Sequence, residues 1–249
     1  MEGRDFPRED YLLLAKMAEQ SERFSEMIEY VGKFAKTQGE LTDEERHIVS
    51  VAYKNVVGSK RAELRVLSAI KQKEEKKGNK GNINYIESYK NIIEEELKTL
   101  CRDILSLIEK YLLPNSKSEL SKVFFLKMKG DYNRYLSEFM TDQEGNDAVE
   151  SAKEAYAEAQ VLAEHNLSDT HPLRLGLALN YSVFLYEILN QQQDAIDMVR
   201  NTFKAAIAHI DNVSEEQYKD VTLIMQLLRD NLTLWTTDIP ADEAGNDEL

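Results

Sequence analysis

The sequence predicts an all-α fold of about nine antiparallel helices. Apolar residues recur at steps of three and four residues along nearly the whole chain, and the alternating runs typical of strands are absent. Glycine and proline number only 10 and 4 among 249 residues, so turns are few and the segments between them are long. These observations together predict amphipathic helices that short loops connect.

Breaks in the apolar pattern separate the elements in order. Gly39 precedes Thr42 and Glu45, which have capping-box spacing, a Lys/Gly/Asn connector covers residues 76–82, and Pro172 suits the first turn of a helix. The predicted helices cover residues 7–22, 24–38, 43–74, 83–113, 119–140, 146–166, 172–189, 194–210 and 215–236. They form one domain, 1–236, followed by a disordered acidic tail, 237–249, that has five acidic side chains and no apolar periodicity.

Charge and cysteine content limit the classes of function. The formal charge is −14, whereas a general nucleic-acid binder needs a basic footprint, so we expect no nucleic-acid partner but do not exclude a local basic pocket. The one cysteine, Cys101, cannot form an intramolecular disulfide and is expected in the core. The segment 1–10 is charged and no run reaches the ~20 apolar residues of a membrane span. We expect a cytoplasmic protein without a membrane partner, with the nucleus as the alternative.

Catalytic and metal-binding patterns are weak. The four histidines lie on separate segments and accompany a single cysteine, which gives no zinc cluster. The segment 57–60 lacks the second glycine and the strand context of a phosphate loop. The sequence therefore predicts no enzyme, no metal site and no cofactor.

Two helices carry matched cationic stripes. Lys54 and Arg61 are seven residues apart, Lys127 and Arg134 repeat this spacing, and Tyr135 lies beside the second pair. Each stripe alone is typical of a solvated face. The acidic residues that interleave with the second stripe at i,i+4 spacing, Asp131 and Glu138, are typical of ordinary exposed pairs.

Two further helices are apolar over most of their circumference, which predicts that they are buried. The helix 172–189 has one narrow exception, the stripe of Gly176, Asn180, Val183 and Glu187, and Asn231 falls inside the apolar arc of helix 215–236. Buried asparagines need hydrogen-bond partners, and spacing alone favours partners in the core over a ligand. A cationic face, an apolar face and two amides are together typical of a peptide groove, in which arginine is suited to phosphate.

Several long runs resemble the 14-3-3 family in the right order: 41–45 with 49–58, 121–136, 171–189 and 218–235. The resemblance implies a cup-shaped protomer with an amphipathic peptide-binding groove, and a non-catalytic adaptor that regulates client signalling proteins by binding phosphoserine or phosphothreonine. It assigns the phosphate to Lys54, Arg61, Arg134 and Tyr135. It assigns the peptide main chain and groove to Lys127, Asn180, Glu187 and Asn231. It assigns the apolar wall to Leu179, Val183, Leu223, Ile224, Leu227 and Trp235. With the resemblance, the preferred role of both asparagines changes from core to ligand.

The resemblance also implies a homodimer that uses the N-terminal helices, 7–38. Its interface residues in this chain are Arg23, Glu26, Glu63, Tyr89 and Glu96. Arg23 and Glu96 match a pair that bridges the protomers, whereas Ile92 replaces the usual lysine partner of Glu26, and Leu64 replaces a tryptophan. Glu63 places a carboxylate on an apolar stripe where relatives have serine or alanine, so we expect a weakened dimer. The alternative is that Lys60 or Arg65 neutralises Glu63 and that the dimer is ordinary.

The sequence leaves three alternatives open. The acidic tail is either a solubilising end or a segment that competes with clients for the cationic groove. The alternative function is a helical-repeat scaffold that binds unmodified peptides, and a metal-dependent helical hydrolase or oxidase is a third.

Overall fold

A computed structural model of the chain describes residues 6–37 and 39–238, and these residues form nine helices without a strand. The helices are α1 Arg8–Gln20, α2 Phe24–Phe34, α3 Asp43–Lys77, α4 Lys80–Leu107, α5 Glu119–Ser137, α6 Gln143–Asn166, α7 Pro172–Val183, α8 Gln192–Ala208 and α9 Glu215–Asp238. A π-helical stretch and a short last turn continue α4 (Ile108–Leu112, Leu113–Asn115), and another π-helical stretch continues α7 (Phe184–Ile188). The all-α prediction is confirmed. Residues 239–249 of the predicted tail lie outside the described residues.

The first of two compact units, Met1–Lys117, contains α1 to α4. In it α1 packs on α2 and α3, α2 packs on α3, and α3 packs on α4. Its largest fully buried side chains include Phe34, Tyr53, Leu97 and Ile104, and Cys101 is buried among them as the sequence predicts.

The start of α3 shows the predicted capping box. Thr42 Oγ1 accepts from the amide of Glu45 at 3.3 Å, and Glu45 Oε2 accepts from the amide of Thr42 at 2.8 Å. The Glu45 carboxylate also accepts from the Arg8 guanidinium at 2.6 and 2.7 Å. Burial alone would raise the pKa of Glu45, but Arg8 and Thr42 lower it below its ordinary value. The cap thus joins α1 to α3.

The turn between α3 and α4 is shorter than the predicted connector 76–82, because α3 extends to Lys77 and α4 begins at Lys80. Gly78 has the positive φ of 73° that favours glycine at a helix end. Glu74 accepts from Lys77 Nζ at 2.6 Å and from the Asn79 and Asn82 amides at 2.7 and 2.8 Å, and these bonds lower its pKa to about 2. One carboxylate therefore closes the turn.

The second unit, Ser118–Leu249, contains α5 to α9. Here α5 packs on α6 and α7, α6 packs on α7, and α8 and α9 pack on α7 and on each other. The core around α7 to α9 includes Leu175, Ile196, Val199, Val221 and Leu228. Side-chain caps at Ser118, Asp142 and His171 explain where α5, α6 and α7 begin.

The cap of α7 makes stability sensitive to pH. His171 Nδ1 accepts from the amide of Leu173 at 3.1 Å, which requires an unprotonated ring nitrogen, and burial lowers the pKa of His171. Because the folded state prefers neutral His171, its stabilisation is present above the unfolded pKa of about 6.5 and is lost as pH falls through the lower folded pKa.

We expect His171→Asn, whose amide oxygen caps without titrating, to reduce the loss of stability between about pH 7.5 and pH 5 by up to about 1 kcal/mol. Urea unfolding at both pH values measures this loss of stability. His171→Ala, which lacks any cap, should be less stable than His171→Asn at both pH values. An unchanged pH dependence in His171→Asn would contradict the titrating cap.

Candidate functional site

Asp131 is the centre of a hydrogen-bonded cluster in the second unit. Its Oδ1 accepts from the Tyr156 hydroxyl at 2.6 Å and from Asn180 Nδ2 at 2.8 Å. Its Oδ2 accepts from Lys127 Nζ at 2.7 Å. Since Asp131 is only 7% exposed, these bonds replace those that it would make to water. The cluster therefore ties α5, α6 and α7 together.

Burial and neighbouring cations have opposite effects on the pKa of Asp131. Burial alone would raise its pKa, because a low-dielectric environment disfavours a carboxylate. Lys127 and Arg134, together with the hydrogen bond from Tyr156, outweigh burial and hold the pKa of Asp131 below its ordinary value. Asp131 is therefore ionised at neutral pH and compensates the two cations.

Arg134 is fixed in place by its own neighbours in the second unit. Its Nε donates to the Tyr156 hydroxyl at 3.3 Å, its Nη1 donates to Glu138 Oε1 at 3.1 Å, and its guanidinium carbon lies 4.7 Å from the centroid of the Tyr135 ring. Burial would lower the pKa of Arg134, but Tyr156 and Asp131 raise it above the ordinary value. The guanidinium is therefore a permanently charged and oriented donor.

The two i,i+4 pairs that the sequence indicates on α5 are present, with nitrogen–oxygen distances of 2.7 and 3.1 Å. Their interpretation as ordinary exposed pairs is wrong, because Asp131 and Arg134 are 7% and 6% exposed. The reason is that α6 covers this face of α5. Gly130 permits the close approach, since a Cβ atom there would lie 2.6 Å from the ring of Tyr156.

The predicted stripe on α7 is partly accessible. Asn180 is half-buried, and its Nδ2 has an internal acceptor in Asp131, so the amide is oriented by the core and still partly exposed. Leu179 and Val183 are half-buried and pack against the core of the unit, whereas Glu187 is exposed. Both roles considered for Asn180, core partner and ligand contact, are therefore compatible with its position.

The predicted apolar residues of α9 differ in exposure. Leu223 and Leu227 are 58% and 44% exposed, which is unusual for leucine and leaves apolar surface in contact with water. Two more predicted residues are half-buried, namely Ile224 and Asn231. Trp235 is only 4% exposed and stacks on Tyr186 with ring centroids 4.5 Å apart. Trp235 therefore supports the fold of this region more than it presents a surface.

In the first unit, α3 carries Lys54 and Arg61. Their spacing of seven residues is about 20° short of two full helical turns, so both side chains leave the helix on the same side. The side chain of Lys54 is exposed and that of Arg61 is half-buried. Tyr53 and Val57 are buried and fix the orientation of this helix within its unit.

The first unit also exposes large apolar side chains on α1 and α4. Those on α1 are Leu13 and Met17, at 57% and 55% exposed. Those on α4 are Tyr85, Tyr89 and Ile92, at 79%, 55% and 55%. Each of these two helices therefore leaves large apolar side chains in contact with water.

The charged residues predicted at the dimer interface have partners within this chain. Arg23 forms an ion pair with Glu26 one turn along α2. Lys60 bridges Glu63 at 3.1 Å and Glu96 at 2.7 Å. The hydrogen bond to Glu96 contributes most to raising the pKa of Lys60. Lys60 therefore compensates Glu63, as one of the sequence-based alternatives proposes.

Sequence reasoning did not assign Tyr156 to the site, and it did not predict the contact between Lys60 and Glu96. The i,i+3 spacing of Lys60 and Glu63 was a visible signal, but the contact with Glu96 depends on the packing of α3 against α4. The contact between Tyr156 and Asp131 joins residues 25 apart, and the only local signal is a glycine, Gly130, inside a helix.

The described residues contain no group of histidine, cysteine or carboxylate side chains that could hold a metal ion. Within residues 6–37 and 39–238, none of the helices has the length and apolar character that crossing a bilayer requires.

Comparison with known proteins identifies the family. A family model described as 14-3-3 protein matches residues 14–236. The chain is 51% identical to the 14-3-3-like protein GF14 iota of Arabidopsis thaliana, over 99% of this chain and 92% of the relative. It is 54% identical to the 14-3-3 protein 4 of Solanum lycopersicum, over 98% of this chain and 94% of the relative. The chain belongs to the 14-3-3 family.

Proposed function

We propose that this chain is a non-catalytic, cytoplasmic adaptor that binds phosphoserine- or phosphothreonine-containing segments of client signalling proteins. Its family membership supports a peptide-binding adaptor in general. The observation that carries the phosphate dependence is Arg134, a buried and permanently charged guanidinium that Tyr156 and Glu138 already hold in place. A fixed guanidinium fork matches phosphate oxygens without losing much side-chain entropy on binding.

The charge of the α5 cluster supports the participation of further cations. Lys127 and Arg134 contribute two positive charges, and Asp131 and Glu138 contribute two negative ones, so the cluster is neutral as a whole. A phosphoserine brings about −1.5 to −2 at neutral pH. We therefore propose that Lys54 and Arg61, which the family resemblance assigns to the phosphate, supply the missing positive charge. Tyr135 adds a hydroxyl to this set.

The remaining contacts follow the same resemblance. We propose that Asn180 and Asn231 hydrogen-bond the peptide main chain and that Lys127 and Glu187 contact polar groups of the peptide. Exposed and half-buried apolar residues would cover its side chains, namely Leu179, Val183, Leu223, Ile224 and Leu227. The exposure of Leu223 and Leu227 supports this role, because burying them against a peptide removes apolar surface from water. Trp235 would act by supporting this surface.

Calorimetric titration of a phosphoserine peptide and its unphosphorylated twin tests the function. We expect the affinity for the twin to be weaker by roughly a hundredfold or more, because the charge-assisted hydrogen bonds to the phosphate are lost. No turnover of either peptide should occur. Equal affinities would instead identify a scaffold for unmodified peptides and would overturn the proposal.

We further propose that the chain forms a homodimer through the exposed apolar residues of α1 and α4 and the charged residues Arg23, Glu26, Glu63 and Glu96. Dimerisation is suggested by the family, and the exposure of Tyr89 and its apolar neighbours supports it. The ion pairs inside the chain compete with pairs across the interface. For this reason we propose a dimer weaker than is usual for the family, with Leu64 and Ile92 adding to the difference.

Replacing Glu63 with alanine should strengthen this dimer. The substitution removes a carboxylate whose desolvation on an apolar stripe opposes association, so we expect dissociation to require roughly tenfold lower protein concentration. Sedimentation equilibrium from nanomolar to micromolar concentration measures the change. Glu75→Ala, which removes an exposed glutamate near the end of the same helix, is the matched control. A parent chain that remains dimeric at nanomolar concentration would refute the weakened dimer.

A further inference from the structure

A cavity of about 310 Å³ lies between α6, α7 and α8 of the second unit. None of the residues assigned to the phosphate or to the peptide lines it. Such a volume is at the lower end of the range for small-molecule sites. The cavity is therefore large enough for a small organic ligand.

The cavity has an apolar side and a polar rim. Leu177, Ala178 and Met198 supply apolar surface, and Tyr181 contributes an aromatic ring. The ring of Tyr181 is stacked on Tyr156 with centroids 5.2 Å apart, which fixes its position. An apolar or aromatic ligand body can thus bury itself against side chains that the fold already holds in place.

Two charged groups of the rim compensate each other. Arg174 Nη2 lies 2.8 Å from Asp169 Oδ1, and Arg174 Nη1 donates to the carbonyl of Leu167 at 2.9 Å. The second oxygen of Asp169 lies 3.0 Å from His209 Nδ1. Both Asp169 and Arg174 are therefore already engaged, and together they add no net charge to the cavity.

Glu164 gives the rim of the cavity one uncompensated negative charge. Within the described residues its carboxylate accepts a hydrogen bond at 2.7 Å from the amide of Gln160, which is a neutral donor. Glu164 is also exposed, so its second oxygen is accessible to a ligand that enters from solvent. An acidic rim with one uncompensated charge favours a ligand that carries a single positive charge.

We propose that this cavity binds a small amphipathic amine. The ammonium group pairs with Glu164 at the rim, and the apolar or aromatic body lies against Leu177, Met198 and Tyr181. The site is separate from the residues of the proposed phosphopeptide function, and its occupancy does not depend on that function.

Titration of the full chain with phenethylamine, observed through isotope-labelled methionine methyl groups by NMR, tests the proposal. We expect a saturable shift of the Met198 methyl and little change at Met225, which lies in the core of the same unit. Phenylethanol, which lacks the charge, should bind roughly tenfold more weakly, and phenylacetate more weakly still. Tighter binding of phenylacetate, or equal shifts at Met225, would overturn the proposal.

A pair of matched variants tests the role of the carboxylate. Glu164→Gln removes the charge at an exposed position and should weaken phenethylamine binding roughly tenfold without changing the far-UV circular dichroism. Glu158→Gln changes another exposed glutamate of α6 that does not line the cavity, and it should bind phenethylamine like the parent chain. Equal weakening in both variants, or in neither, would overturn the assignment to Glu164.

Discussion

Replacing Arg134 with alanine should lower the affinity for a phosphoserine peptide by roughly a hundredfold or more. Each charge-assisted hydrogen bond contributes about 1.5–3 kcal/mol, and a guanidinium can make two of them to one phosphate. Because Tyr156 and Glu138 hold the guanidinium before binding, little of that energy is lost to ordering the side chain. Calorimetry with the phosphorylated peptide and its unphosphorylated twin measures the loss. The affinity for the twin should change little.

Arg134 also compensates Asp131 within the fold, so its removal could weaken binding by disturbing the structure. Arg134→Lys separates the two effects, because it keeps the positive charge but loses the planar fork. We expect intermediate affinity for the phosphopeptide and parent-like helicity from this variant. The matched control is Arg200→Ala, which breaks the ion pair between Arg200 and Asp197 of the same unit, at 3.2 Å, away from the cluster.

The comparison of these variants decides whether Arg134 binds the phosphate. If Arg134→Ala and Arg200→Ala lose affinity equally, Arg134 is not a phosphate ligand. The double variant Arg61→Ala, Arg134→Ala should show no measurable phosphate preference, because it removes both arginines assigned to the phosphate.

Local sequence signals predicted the fold well. The capping box at Thr42 and Glu45 and the first-turn proline at Pro172 depend on residues within one helical turn, and each stands where it was predicted. Helix ends were less predictable. The turn after α3 is two residues long because Glu74 binds Asn79 and Asn82, contacts that hydropathy does not encode. A hydropathy period of 3.6 residues also does not predict the π-helical stretch Phe184–Ile188.

Burial at the candidate site could not be predicted from spacing. An i,i+4 pair has the same sequence pattern whether it is solvated or covered, and only the packing of α6 shows that Asp131 and Arg134 are covered. The pattern did predict that Lys127 and Arg134 lie on one side of α5, because residues seven apart on a helix share a face. It did not identify Tyr156, whose hydroxyl links Asp131 to Arg134 and whose sequence position carries no polar signal.

The largest expected effect on stability is that of Gly130→Ala. A Cβ atom at this position would lie 2.6 Å from ring carbons of Tyr156. The ring cannot move aside easily, because it is fully buried, stacks on Tyr181 and is tied through its hydroxyl to Asp131. Alanine in a helix interior is intrinsically favoured over glycine by about 1 kcal/mol, whereas overpacking a rigid core costs about 1–3 kcal/mol and here also strains a buried hydrogen bond.

We therefore expect Gly130→Ala to destabilise the chain by about 2 kcal/mol, which lowers Tm by roughly 4–8 °C for a protein of this size. Thermal unfolding followed by far-UV circular dichroism measures the change in Tm. Gly58→Ala is the matched control, since Gly58 is also inside a long helix but a Cβ atom there would meet nothing within 4 Å. Helix propensity alone should stabilise this control variant by up to about 1 kcal/mol. If both variants were stabilised alike, the contact between α5 and Tyr156 would not be tight, and the fixed orientation of Arg134 would lose its structural basis.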